Sequence, residues 1–389
     1  MHVATPSDIV ALVAQVVGDA PRPVALHEPF FSGNEKAYVT SCIDEGWVSS
    51  VGAFVDRFER ELAQRCEAKY ALAAVNGTCA LHVALVASGV LPGDEVLVPS
   101  LTFVATANSV SHAGAEPHFV EVEEDSLGVC PKKLENYLRR IAISKNGMTV
   151  NKNTGRIIRA LVPVHVFGHP CQIDELRTVV NEFNLVLIED ATEALGSFYR
   201  EKPIGSSGLA VVSFNGNKII TTGGGGAILM QDEAQYKKIK HLTTTAKKPH
   251  AWAFEHDDVA WNYRMPNLNA ALGCAQLEQL TSFVAAKRML AKKYRDAASN
   301  ISGVQILREP AHTKSNYWLV TLIADQDIAS WRDEALAALH KAQFLCRPIW
   351  SPLHTLPMYK ACGRDDLRLT ESLSRRIISL PSSVKLAQM

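Results

Sequence analysis

Between Tyr70 and Tyr199 the chain alternates short apolar runs with segments of helical periodicity, and this rhythm limits the fold more than any other feature. Strand-like runs fall at residues 70–75, 95–98, 117–120, 159–163, 185–189 and 210–214. Helical segments lie between them, near residues 80–88, 105–112, 131–141 and 173–183. Repeated strand–helix–strand units demand crossover connections, which build an α/β architecture: a mostly parallel sheet covered on both faces. Residues 227–230 offer a further strand of the opposite sense. The polar stretch 144–156 breaks the rhythm. In it, Asn153-Thr154-Gly155 lies between two β-branched pairs and predicts a small hairpin, the alternative being a loop without regular structure.

After this region the pattern changes. Residues 267–297 read as one long helix, with Ser282 as the place where it could break. Beyond it, strands near 304–307 and 317–323 and helices near 328–341 and 367–377 make a smaller α+β unit. A length of 389 residues suits one large domain and one smaller. The expected division is a lead-in over residues 1–24 packing on the small domain, a large domain over 25–266 and a small domain over 267–389.

Forty basic residues balance forty acidic ones, so no cationic surplus argues for a nucleic-acid partner. The eight cysteines, at 42, 66, 79, 130, 171, 274, 346 and 362, show neither CxxC pairs nor metal-ligand spacing, and no metal is expected. Scattered thiols and an N-terminus with Asp8 where a signal peptide would be apolar point to a reducing cytoplasm. No run approaches the roughly 18 apolar residues of a membrane helix.

Four segments carry chemistry. Lys218 follows the 210–214 run and precedes Ile219-Ile220-Thr221-Thr222 and four glycines, Gly223 to Gly226. A lysine amine in a partly desolvated place can form a Schiff base with a carbonyl, and the small backbone around it would let a flat ligand lie close. The alternative is a solvated lysine on a turn. Asp190 stands at the carboxyl end of the 185–189 run, where open α/β sheets bind ligands; it can pair with a ring nitrogen or cap the next helix. In Val75-Asn76-Gly77-Thr78-Cys79, a strand ends and a helix begins, an arrangement suited to a phosphate. Trp261-Asn262-Tyr263-Arg264-Met265-Pro266-Asn267 places polar and aromatic groups before the long helix.

Taken in chain order (phosphate turn, Asp190, Lys218, then Asn262-Tyr263-Arg264), the four segments resemble the DegT family of sugar aminotransferases, over about residues 29–383. The resemblance implies the aspartate-aminotransferase-like fold (fold type I) with a seven-stranded sheet, and pyridoxal 5'-phosphate as cofactor. It implies that Lys218 binds the cofactor covalently and shuttles the proton, and that Asp190 pairs with the ring nitrogen. Glu193 lies near the phenolic oxygen, Phe103 stacks on the ring, and Thr78, Cys79 and Ser213 hold the phosphate. Asn262 reaches the neighbouring subunit's cofactor, so a homodimer with composite sites is expected. The sugar nucleotide and an amino acid donor, glutamate, are the partners. Phe31, Trp47, Ser49, Ser50, His165 and Phe167 would line the mouth, and Arg264 and Arg347 would meet a carboxylate or phosphates.

The segments 47–52, 165–170 and 262–269 are similar to the branch that aminates nucleotide-linked 4-keto-6-deoxy-N-acetylhexosamines on routes to legionaminic acid or bacillosamine. The alternatives are a GDP-4-keto-6-deoxymannose aminotransferase of the perosamine type and a sugar 3-dehydratase of the same fold, which carries His where Lys218 stands. Gly224 departs from the family, where Glu is usual. A dinucleotide loop at Gly223–Gly226 fails on context, because no G-x-G-x-x-G opens a helix after the first strand.

Overall fold

The computed structural model describes residues 4–388 apart from 326, 327 and 329. Residues 1–3 of the expected lead-in, residue 329 of the expected 328–341 helix and residue 389 lie outside the described residues.

The seven-stranded sheet runs, edge to edge, Tyr70–Ala74, Gly226–Met230, Leu209–Ser213, Val186–Asp190, Ile158–Leu161, Glu95–Pro99 and Glu116–Val120. Every pairing is parallel except the two made by Gly226–Met230, which runs against both its neighbours. Its side chains alternate between two cores, as the period of two requires. Ile228 and Met230 join Leu72, Ala74 and Val211 on one face; Ala227 and Leu229 join Ala71, Ala73 and Val212 on the other. The first face is covered by the helices Gly77–Ala87, Ala105–His112 and Glu233–Thr243. The helix Ala53–Arg65 and the start of the long helix Asn267–Ala298 cover the second.

The long helix is continuous through Ser282, over 32 residues or about 48 Å. Its first half buries Ala270, Cys274, Leu277 and Phe283 against the large sheet. Its second half buries Leu290, Ala291 and Tyr294 in a separate core with Leu322, Leu339 and Ile378. That core is built on an antiparallel sheet of Val304–Ile306, Val320–Ala324, Ile377–Leu380 and Arg347–Pro348. The helix Pro6–Val17 adds Ile9, Leu12, Val13 and Val17 to the same core. It begins with a capping box, in which Thr5 Oγ1 accepts from the Asp8 N–H and Asp8 Oδ2 accepts from the Thr5 N–H, worth about 1 kcal/mol.

The hairpin differs from expectation. Its strands are Ala142–Lys145 and Met148–Asn151, and its turn is Asn146-Gly147. Both turn residues have positive φ, 53° and 74°, the backbone that a two-residue hairpin turn needs. Asn153-Thr154-Gly155 makes a second, looser turn, closed by the Val150–Ile157 bridge.

Candidate active site

The Val186–Asp190 strand is fourth of seven, so its carboxyl end opens at the middle of the sheet. Asp190 stands there, 3% exposed. Its Oδ2 accepts from the Thr106 hydroxyl at 2.8 Å and its Oδ1 from the Thr192 N–H at 3.2 Å. The second bond closes a turn and not a helix, so the capping alternative for Asp190 is not what the chain forms. No cation pairs with this carboxylate among the described residues. A buried carboxylate held only by neutral donors keeps an uncompensated charge, which favours a cationic N–H arriving from the cavity.

That cavity has a volume of about 340 Å³ and is lined by Asp190, Glu193, Lys218, Thr78, Ser213 and Phe103, with Trp318 and Trp350 closing one side. Lys218 is delivered by the turn after Leu209–Ser213, tightened by the bond from its N–H to the Asn215 carbonyl at 2.9 Å. Its Nζ is 3.4 Å from Glu193 Oε1 and lies over the Trp318 ring, 3.9 Å from the centroid. The other Glu193 oxygen accepts from the Phe167 N–H at 2.8 Å. Burial pushes the Glu193 carboxyl up from its usual range, and the Lys218 ammonium opposes that shift.

At the start of Gly77–Ala87, Asn76 Oδ1 accepts from the Cys79 N–H at 2.7 Å. This cap consumes the Cys79 donor, and the Cys79 side chain does not line the cavity. The Gly77 and Thr78 N–H groups have no earlier turn to bond and stand free for an anion. The glycine run acts here, though not as expected. A Cβ on Gly226 would fall 2.6 Å from the Asn76 and Gly77 backbone. Gly226 therefore admits the helix start rather than a ligand, and none of the four glycines lines the cavity.

Phe103 is half-exposed at the mouth, its ring 6.4 Å from Trp350. Asn262 is exposed and does not line its own chain's cavity, paired through its backbone with Thr244. Phe31, Trp47, Ser49 and Arg347 are exposed and Ser50 is half-buried; none of these lines the cavity either.

Three substrate candidates are placed differently from expectation. His165 is fully buried. The Cys171 N–H donates to its Nδ1 at 3.0 Å, so its proton sits on Nε2, 3.2 Å from Glu189 Oε2. Phe167 is 1% exposed, packed 4.9 Å from Trp350, and serves the site through its backbone N–H. Arg264 is 9% exposed and spent on Glu59 Oε1 at 2.8 Å and the Ala73 carbonyl at 3.1 Å. In the same segment His169 is buried, with its ring edge-on to Tyr317 and neither nitrogen hydrogen-bonded. Sequence reasoning missed Asn76, Thr106, Trp318 and Trp350. Thr106 carried a faint signal, a hydroxyl one helical turn from Thr102; the tryptophans carried none, because the fold brings them from over a hundred residues away.

The model of the DegT/DnrJ/EryC1/StrS aminotransferase family matches residues 31–389. The chain belongs to this family. It is 40% identical over 364 residues to the GDP-perosamine synthase of Vibrio cholerae, covering 92% of this chain and 94% of that protein. It is 36% identical over 374 residues to the GDP-perosamine synthase of Caulobacter vibrioides, covering 96% of each. Among solved structures, DesV of S. venezuelae in complex with a ketimine intermediate aligns with a TM-score of 0.80 at 28% identity, over 91% of each chain. Helicobacter pylori PseC shares the fold, with a TM-score of 0.84 at 22% identity over 94% of this chain and 96% of that one. The fold is therefore fold type I, and the protein is a pyridoxal-phosphate-dependent sugar aminotransferase. The cavity fits that cofactor: a helix start with free N–H groups for a phosphate, a buried carboxylate lacking a cation, and an amine between them.

Proposed function

We propose that this enzyme transfers an amino group from glutamate to C4 of GDP-4-keto-6-deoxymannose, giving a perosamine-type sugar nucleotide for surface polysaccharide in the cytoplasm. The observation that carries this reading is similarity along nearly the whole chain to two GDP-perosamine synthases. The N-acetylhexosamine alternative leans on segments 47–52, 165–170 and 262–269. Of these, His165 and Phe167 are buried and do not line the cavity, so their resemblance speaks to packing more than to the sugar.

Bound pyridoxal phosphate would supply an electron-accepting ring and a carbonyl that carries the amino group between two substrates. The residues divide the remaining work. Lys218 Nζ would hold the resting cofactor and, as the free amine, would move the proton between the two carbons that flank the transferred nitrogen. Asp190 keeps the ring nitrogen protonated, and Thr106 and Thr192 fix the Asp190 oxygens. Gly77, Thr78 and Ser213 receive the phosphate. Glu193 orients Lys218. A dehydratase would need a group other than Lys218 at this place.

The site is completed by a second copy of the chain. Asn262 is exposed and does not line its own chain's cavity, and Trp252, Phe254 and Val259 in the segment before it expose 78–85% of their surface, an apolar tip that a partner would cover. The test of the substrate is a panel of GDP-4-keto-6-deoxymannose and UDP-4-keto-6-deoxy-N-acetylglucosamine, each with glutamate, read by mass spectrometry. Amination of the GDP sugar is expected; clear preference for the UDP sugar would reverse the assignment and leave the reaction type standing.

A further inference from the structure

Trp318 reaches the cavity from the other lobe, just before the Val320–Ala324 strand. It is held from several sides. Its Nε1–H donates to the Asn217 carbonyl at 2.6 Å, one residue from Lys218. Its backbone N–H donates to Asn316 Oδ1 at 2.8 Å. Asn316 in turn gives both amide hydrogens to the Glu193 and Leu195 carbonyls, each at 2.9 Å. Gly168 closes on the same amide: a Cβ there would fall 1.8 Å from Asn316 Oδ1. One short strap, residues 315–318, therefore fixes the indole above the Lys218 amine and also the backbone of Glu193, whose carboxylate meets that amine.

We propose that Trp318 is a positioning residue for Lys218, its indole face being the seat on which the free amine rests as an ammonium, opposite Glu193. The inference rests on Lys218 being the amine of the reaction. A cation over an indole face is attracted by the ring quadrupole, more strongly for Trp than for Phe and more strongly where water is reduced. Lys218 is such a case, with a side chain 12% exposed and the ring centroid 3.9 Å from Nζ. An ammonium seated in this way reacts slowly with electrophiles. It also stays aimed into the cavity whenever Lys218 is not covalently engaged.

The test uses the full chain stripped of cofactor. It is methylated with formaldehyde and cyanoborohydride at one pH, and Lys218 modification is read by peptide mass spectrometry against a surface lysine such as Lys132. Trp318→Leu should raise the Lys218 rate about fivefold or more, leaving Lys132 and the far-ultraviolet dichroism unchanged. Trp318→Phe, which keeps an aromatic face, should stay within about twofold of the parent. An unchanged rate in the Leu variant would overturn the proposal. So would a Phe variant as fast as the Leu one, because the indole would then only be a cover. Trp318→Met replaces Leu if that variant does not fold, with the same expected result. The readout needs no cofactor, so it is independent of whether the cofactor attaches at Lys218, which borohydride mapping reports separately.

Discussion

Lys218 has one carboxylate, one aromatic face and one open direction, toward the cavity. If the cofactor attaches there, the purified enzyme absorbs in the visible and loses that band on borohydride reduction, and the reduced label maps to Lys218. A label on another lysine would refute the attachment. Lys218→Ala should keep its fold and lose transamination. Asp190 is the second test at this scale. Asp190→Asn keeps the shape and the Thr192 bond but removes the charge, and charge-assisted bonds are worth roughly 1.5–3 kcal/mol. Turnover should fall by about one to two orders of magnitude with little change in melting temperature. Thr106→Val removes one hydroxyl donor to the same carboxylate and leaves its charge in place, so turnover should fall less than in Asp190→Asn. Equal losses in the two variants would mean that placement of the carboxylate, and not its charge, limits the reaction.

Among elements, the Gly226–Met230 strand and the Gly77–Ala87 helix meet backbone to backbone. Gly226→Ala forces a methyl into the Asn76–Gly77 peptide, and overpacking of this kind costs typically 1–3 kcal/mol. The variant should melt lower and bind pyridoxal phosphate at least tenfold more weakly, as measured by titration of the stripped enzyme. Normal affinity would show that the helix start can shift without harm to the phosphate site. The same scale shows what the sequence made legible. Strand runs such as 185–189 and 210–214 were found within a residue or two because burial on both faces makes them continuously apolar. The antiparallel sense of Gly226–Met230 was readable too, since no crossover helix separates it from the strand before. The purpose of Gly226 was not, because a close approach between backbones leaves no mark beyond the absent side chain. His165 and Phe167 misled for a related reason: they follow a sheet strand, where ligands gather, but the chain turns inward there through positive φ at Phe167 and Gly168. Arg264 looked like an anion binder, and only its neighbour in space, Glu59, shows it to be spent.

For the whole molecule, mixing Lys218→Ala and Asn262→Ala subunits tests the composite site. If Asn262 acts across the interface, both lesions fall in one site of the mixed dimer and the other site recovers activity. No recovery, with subunit exchange verified, would place Asn262 elsewhere. Acid stability offers a second global measurement. Burial, with Arg288 and Arg295 adding to it and Glu309 opposing, lowers His169 from 6.5 to about 4. The unfolded chain then binds the extra proton first, so stability falls as pH drops from about 6.5 toward 4, by up to about 3 kcal/mol. His169→Phe should flatten that slope in denaturant titrations at pH 7, 6 and 5; an unaltered slope would assign the acid sensitivity to other groups. The placement of Tyr70–Ala74 has a last consequence, for synthesis. Among the described strands this edge strand pairs with Gly226–Met230, made about 150 residues later, and Ala74 adds a single bridge to the still later Arg264. At roughly 5–20 residues per second, a ribosome needs on the order of ten to thirty seconds to make that partner. During that wait the first strand and the Gly77–Ala87 helix start behind it have no sheet to join, so nascent chains halted before residue 226 should be the ones that chaperones hold and proteases cut.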